Sequence, residues 1–442
     1  MSTRYLSPQM DMAYATPASF EHFDGEASPI YQQVLSWLLL FPLLYHIANG
    51  QFSIFSTTND ALMTQEGNLL RTPQGIRPQI VLYLVVMMLF VLIGHQKVWR
   101  AAIHNKLILC GVAVGALSAI WSVSPMLTLR VSFMLGLTTL FAFYLSERLT
   151  TERLMRLLIF TATVAAILSL FLIFLMPKYG IYHRDAGSQW QGICSHKNTL
   201  GFSMAFLLTP IFFTSQRLAL KIGYTAMLLL LIVMSGSRGA WFITAALFLF
   251  VGWLSLSRRL KSKEALLLSV ATGLIVVSAI VVGAWYLEPL LRMIGKDPTL
   301  TGRTQIYTAV LHSIFTHPVI GYGLGAFWFG INPESLNIAR EINWPGIGYA
   351  ENGFLELALG VGGLGVGLVL LMFGRAIRQS AKLIRWGLYN PRVGWFSAII
   401  FLELITNIEG GIVMAPDNLN WTLTLIAFIG LANEVRNGFE FA

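Results

Sequence analysis

The residues of this 442-residue chain that could do chemistry are charged and polar side chains that border long apolar stretches. A charged group near membrane depth is costly and is a functional candidate by default. Cations that can hold a phosphate occur here together with carboxylates that can accept a proton. The candidates are Arg184, His196, Lys197, Asn198, Arg238, Arg303, Tyr322, Glu351, Asn352 and Glu356.

Arg238 lies in a short turn, Ser235-Gly-Ser-Arg238-Gly, between two apolar blocks. A tight turn between helices uses glycine and serine, but it has no need of arginine. A guanidinium can donate two parallel hydrogen bonds to a phosphate group, so one hypothesis is an anion-binding residue. The alternative is an arginine that extends to the lipid headgroups.

A second basic motif, His196-Lys197-Asn198, begins another apolar block. The free N–H groups of a first helical turn already favour an anion. A cation at this position opposes the helix dipole, which indicates that it serves a ligand. The alternative is a basic cap at the membrane interface. We expect no metal site, because no histidine, cysteine and carboxylate cluster has the spacing of metal ligands.

Two acidic residues stand at the start of a later apolar block, Glu351 next to Asn352 and Glu356 one turn further along. Glu351 is a candidate general base, and the alternative is a plain helix N-cap. Glu356 precedes an uninterrupted apolar stretch, and Glu403 is similarly placed in a later block. Pairing with Arg130 on another helix is the ordinary explanation for either.

The composition indicates which elements must position these residues. Hydrophobic residues make up 55% of the chain and charged residues 12%, far from the balance of a soluble protein. Twelve apolar blocks approach the length of a membrane-spanning helix. The sequence therefore predicts an all-α polytopic membrane protein. Its net charge of +9 is best interpreted loop by loop and does not indicate nucleic-acid binding. Cys110 and Cys194 are too far apart to predict a disulfide.

Loop charges set the expected orientation. Lys and Arg are in excess in the loops that are inside when the N-terminus is inside, which predicts cytoplasmic termini. The predicted organisation is a cytoplasmic tail at 1–29 followed by helices 1–9 at 30–287. A large outer loop at 288–350 comes next, and 351–442 hold helices 10–12 and a short tail.

The large outer loop is the main departure from a plain helix bundle. Its segment Thr304–Phe315 has the apolar spacing of an amphipathic helix. Tyr322 and the tryptophans of the outer face could stack on sugar rings, or they could form the aromatic belt of a membrane protein. No internal repeat is visible, which argues against an inverted-repeat transporter.

Five motifs, in order, resemble the bacterial O-antigen ligase and Wzy-type polymerase superfamily, in particular its exopolysaccharide-polymerase branch. They span about 170 residues of the chain. The motifs are Ser195-His196-Lys197-Asn198-Thr-Leu-Gly201, Ser235-Gly-Ser-Arg238-Gly, Gly302-Arg303-Thr-Gln-Ile-Tyr307, His317-Pro318-Val-Ile-Gly321-Tyr322-Gly323, and Asn352-Gly-Phe-Leu-Glu356 with Gly-Gly-Leu-Gly365 beyond.

The resemblance implies a metal-independent, cofactor-free GT-C type glycosyltransferase in the bacterial inner membrane. Its implied donor is a glycan on undecaprenyl pyrophosphate at the periplasmic face, and its implied acceptor is a second glycan. Arg238 matches the family's arginine for the pyrophosphate, with Lys197, Arg303 and Arg184 as candidates to share that task. Glu351 stands where the family commonly has a histidine, its candidate base.

This departure favours a polymerase of lipid-linked repeat units, working with a chain-length regulator as a candidate partner. Two alternatives stay open. One is a ligase that transfers the finished glycan to lipid A–core or protein. The other belongs to a different class, a transporter or flippase of lipid-linked sugars, which should carry charges along a path through the whole bundle.

Overall fold

The computed structural model describes residues 29–55, 78–183, 188–257, 303–328, 332–343, 347–385 and 388–440. These residues are mostly helical, and their one sheet is a hairpin of two short strands, β1 (Ile181–Tyr182) and β2 (Gln189–Trp190). The expected cytoplasmic tail, the predicted ninth span and Arg184 lie outside the described residues, so those predictions are not tested.

The helices follow the apolar blocks of the sequence closely. Leu218–Met234, for example, is an apolar block and a helix with the same bounds. The described helices are α1 (Pro29–Ile47), α2 (Pro78–His104), α3 (Lys106–Leu117), α4 (Pro125–Arg148), α5 (Thr151–Leu175), α6 (Pro177–Gly180), α7 (Lys197–Leu207), α8 (Thr209–Phe213), α9 (Leu218–Met234), α10 (Arg238–Ser257), α11 (Arg303–Thr316), α12 (Pro333–Glu341), α13 (Gly353–Arg385), α14 (Pro391–Ile408) and α15 (Leu419–Glu440).

Four of the described helices, α4, α5, α10 and α13, are long and apolar enough to cross a membrane. The end of α2 and the segment from α3 onward could form a fifth span, although they meet at a bend of 91°. The apolar helices confirm a helical membrane protein. The count of twelve spans stays a prediction.

Helix α13 carries the last of the motifs and is broken at Gly362. Its φ of +62° is a conformation that L side chains rarely adopt. A Cβ on this glycine would lie 2.3 Å from the backbone carbonyl of Val319. The segment 318–323 passes beside this break, where Gly363 N–H donates to the Pro318 carbonyl and Tyr322 N–H donates to the Leu359 carbonyl, each at 2.8 Å. These hydrogen bonds at the break therefore join segment 318–323 of the large loop to α13.

The described part of the outer loop has a small hydrophobic core of its own. The predicted amphipathic helix is present as α11, and its apolar face, with Ile306 and Val310, is buried. This face packs with Phe327 and with Ile338 of α12, over Leu359 of α13. The loop is thus a folded cover above the start of α13, and its helix buries its apolar face against protein.

The orientation can be tested at the two sides of α13. Basic residues crowd its C-terminal end at Arg375, Arg378, Lys382 and Arg385, so that end should stay in the cytoplasm. We expect alkaline phosphatase fused after Arg385 to be inactive and the same enzyme fused after Asn332 to be active. Activity of the Arg385 fusion alone would reverse the orientation, and equal activity of both would show that α13 does not span.

Candidate active site

The centre of the candidate site is Arg303, the first residue of α11, which contacts two carboxylates. Its Nη2 lies 3.6 Å from Oε2 of Glu351, and its Nη1 lies 3.6 Å from Oε2 of Glu409. Nη2 also lies 3.5 Å from the backbone carbonyl of Glu409. Glu351 precedes α13 and Glu409 ends α14, so this arginine joins three elements that are remote in sequence.

Asn352, and not Glu351, caps α13. The Asn352 side-chain oxygen accepts hydrogen bonds from the backbone N–H groups of Phe354 and Leu355, at 3.0 and 3.1 Å. These are the donors that an N-cap residue satisfies. Glu351 stands one residue earlier with a φ of +53°, which is uncommon for a residue other than glycine. The alternative that Glu351 is the helix N-cap is therefore wrong, because Asn352 is the N-cap of α13.

The Glu351 carboxylate is enclosed, with 19% of its side chain exposed. Burial raises the pKa of this carboxyl above its ordinary 4.5, and the hydrogen bond from Tyr349 and the charge of Arg303 offset part of that rise. Tyr307 donates to the backbone carbonyl of Glu351 at 3.3 Å. A carboxylate with a raised pKa is a stronger base than an ordinary glutamate, which general-base chemistry requires.

The turn that carries Arg238 lies next to this group. Ser237 begins α10, because its hydroxyl accepts from the Ala240 N–H at 3.3 Å. Arg238 then stands in the first turn with its side chain exposed. A Cβ on the next residue, Gly239, would lie 3.7 Å from Cβ of Glu409. The Arg238 turn thus borders the side-chain base of Glu409, the residue whose carboxylate contacts Arg303.

The basic motif at the start of α7 packs on the same turn. A Cβ on Gly201 would lie 2.6 Å from Cβ of Ala240, so the α7 and α10 helices approach as closely as glycine permits. His196 is the N-cap of α7, and its Nδ1 accepts from the Asn198 N–H at 3.1 Å. His196 therefore caps α7, as the alternative explanation predicted. The position of this cap at a membrane interface stays a prediction. Asn198 is half-buried on the first turn.

Lys197 is held by the hairpin. Its Nζ donates to the side chain of Gln189 and lies 5.5 Å from the ring centre of Tyr182. Gln189 also packs against Gly236 in the Arg238 turn. Lys197 is therefore near the turn, but its ammonium already has protein partners. Its predicted contact with a ligand stays a prediction.

Two predicted site residues take structural positions instead. Glu356 accepts hydrogen bonds from Nε1 of Trp328 and from the Ala350 N–H, both at 2.9 Å, so it holds the loop to α13. Tyr322 is 3% exposed, and its hydroxyl donates to the Ser313 carbonyl at 2.9 Å. Its ring lies in the loop core and is not presented to a sugar from solvent. Substrate binding by either residue stays untested.

Arg130 does not explain the acidic residues of the spans. Glu403 contacts Asn407, whose amide donates to its Oε1 at 3.0 Å, and Glu356 contacts the loop. The charge of Arg130 acts instead on Asp417 in the loop between α14 and α15.

Glu409 is the functional candidate that the sequence did not single out. A helix C-terminus disfavours an anion, so a glutamate there needs a cationic partner. The position of Glu409 at the end of an apolar block was the sequence signal that could have identified it. Tyr349, whose hydroxyl donates a hydrogen bond to the Glu351 carboxylate, was not predicted as a site residue either. In the part of the chain that the structure describes, no three metal-binding side chains come together.

The environment of Glu351 gives a direct prediction about its titration. The Tyr349 hydroxyl stabilises the charged carboxylate, so Tyr349→Phe should move the Glu351 pKa to higher pH. Infrared titration of the carboxyl band of the purified protein measures this, with Glu351→Gln to assign the band. Tyr307→Phe is the matched control and should shift the band less, because Tyr307 contacts the backbone carbonyl. A downward or equal shift would contradict this account.

Comparisons with known proteins place three of these residues in a region that matches a known family model. Residues 223–401 match a family model described as O-Antigen ligase, a region that includes Arg238, Arg303 and Glu351. The chain is also 24% identical to the exopolysaccharide production protein ExoQ of Rhizobium meliloti (strain 1021), over 311 residues that cover 66% of this chain and 69% of that protein. These similarities confirm the predicted resemblance to the O-antigen ligase and polymerase superfamily and to its exopolysaccharide branch.

Proposed function

We propose that the protein is a glycosyltransferase that polymerises glycan repeat units carried on undecaprenyl pyrophosphate, at the periplasmic face of the bacterial inner membrane. The observation that carries the proposal is the grouping of Arg303, Glu351 and Glu409 beside the Arg238 turn. Cations and a shielded carboxylate are the groups that transfer from a lipid pyrophosphate requires. The similarity to an exopolysaccharide production protein supports the polymerase role.

In this proposal the two arginines bind the donor. The exposed guanidinium of Arg238 holds the pyrophosphate through paired hydrogen bonds. Arg303 adds positive charge from the loop side. Negative charge grows on the pyrophosphate as its bond to the sugar breaks, so fixed cations stabilise the transition state more than the bound donor.

Glu351 is the proposed general base. The oxygen of an acceptor hydroxyl attacks the anomeric carbon of the donor sugar, and its proton passes to the Glu351 carboxylate. The bond between that carbon and the pyrophosphate oxygen breaks, and the lipid pyrophosphate leaves with the electron pair. Pyrophosphate is already a good leaving group, so we propose no general acid and no metal or organic cofactor.

A ligase that transfers the finished glycan to lipid A–core or protein is the second candidate. It is favoured by the family match, since that family is described as O-Antigen ligase. Both functions use the same donor chemistry, and they differ in the acceptor. A chain-length regulator is a proposed partner of the polymerase only.

Arg238 gives the prediction that tests the donor site. In a deletion strain, Arg238→Ala and Arg238→Lys should both abolish polymer at normal protein level, because lysine keeps the charge but lacks the paired donors. Profiling of lipid-linked glycans should show single repeat units on the carrier. Arg217→Ala, exposed at the opposite end of α9, is the control and should complement fully.

Each result of that profiling has a distinct meaning. Long polymer that stays on the lipid carrier would indicate a ligase. A fully active Arg238→Lys variant would show that Arg238 only anchors the protein at the headgroups, and the proposed donor site would be wrong.

Glu351 gives the prediction that tests the base. Glu351→Gln keeps the shape of the side chain but cannot accept a proton, so turnover should fall about 10²–10⁴-fold. Glu351→His should recover part of the activity, because imidazole titrates near pH 6.5 and histidine tolerates a positive φ. Polymerisation by purified protein from lipid-linked repeat units measures both. Near-normal turnover of the glutamine variant would remove Glu351 from the chemistry.

A further inference from the structure

The contacts of Arg303 differ from those of Arg392, another arginine of the described residues that lies between two carboxylates. Arg392 lies 2.8 Å from Glu152 and 3.5 Å from Glu434. Arg303 lies no closer than 3.6 Å to the carboxylate oxygens of Glu351 and Glu409. Hydrogen bonds between a cationic N–H and a carboxylate are typically about 2.7–2.9 Å long. Arg303 is therefore attracted to its carboxylates without being bonded firmly to either.

Glu409 stands between the two arginines proposed to bind the donor. Its side chain is 29% exposed and reaches Arg303, and its Cβ borders Gly239 next to Arg238. It lies at the carbonyl end of α14, where the helix dipole does not stabilise an anion. Glu351 contributes a second negative charge to the same guanidinium. A doubly charged pyrophosphate that approaches Arg303 would meet this excess of negative charge.

We propose, on the basis of the proposed function, that Glu409 is a positioning residue that occupies the phosphate position on Arg303 until the lipid pyrophosphate displaces it. In the donor-free protein the carboxylate neutralises Arg303 and keeps its side chain at the site. The donor then replaces a loose contact with paired hydrogen bonds. Glu409 therefore lowers the affinity for the pyrophosphate lipid while it keeps Arg303 in place for binding.

The sign of one measurement separates this role from a purely structural one. Binding of undecaprenyl pyrophosphate to the full-length protein in lipid nanodiscs should be about three- to tenfold tighter for Glu409→Gln than for wild type, since one negative charge near the lipid phosphates is removed. A structural residue would show weaker binding when changed. Glu434→Gln, which removes a carboxylate beside Arg392, is the matched control and should bind like wild type.

The arginine must be required for the effect. Because Glu409 is proposed to compete for Arg303, the gain from Glu409→Gln should fall below twofold when Arg303→Gln is also present. Unchanged or weaker binding by Glu409→Gln would overturn the role of Glu409 alone. If Arg238→Ala bound undecaprenyl pyrophosphate as tightly as wild type, the proposed function itself would be overturned.

Discussion

One guanidinium brings together the three chain segments that form the candidate site. Arg303 begins a helix of the outer loop, and its two carboxylate partners come from the start of α13 and the end of α14. Attraction between opposite charges that are partly shielded from water is stronger than between exposed ones. The contact therefore draws the loop onto the bundle and sets the distance between the cations and the carboxylate of the candidate site.

The backbone around Gly362 keeps that arrangement in place. Peptide groups freed by the break in α13 are paired with segment 318–323 of the loop, and a broken helix at membrane depth is tolerated where protein covers it in this way. The other side of the segment is also bound, since Nε1 of Trp121 donates to the Ile320 carbonyl at 3.0 Å and the Val123 N–H to the Tyr322 carbonyl. Charge attraction sets where the loop lies, and these backbone hydrogen bonds make its base rigid.

The sequence predicted the bounds of the helices better than the contacts between them. Apolar length sets helix bounds locally, so Leu218–Met234 was correct to the residue, and the periodicity of Thr304–Phe315 came within one residue of each end of α11. Arg238 and Glu351 were identifiable because each is a charged residue at the edge of an apolar block, and Arg303 was identifiable through the motif that resembles the family. Their convergence was not predictable, because it depends on contacts between segments that are remote in sequence, such as those of Arg303 with Glu351 and with Glu409. The burial of Tyr322 was not predictable either, because it depends on how the loop packs.

The pairing of two chain segments through their backbones has a consequence for building hybrid proteins. Residues 318–323 and 359–364 match each other through peptide groups and through glycines such as Gly321 and Gly362, at which an added Cβ would meet the opposite main chain. A loop taken from a relative must therefore be exchanged together with its own stretch of α13. Helix α12 packs over Leu359 at this joint, so a smaller graft must keep the residue at 338 compatible with that contact.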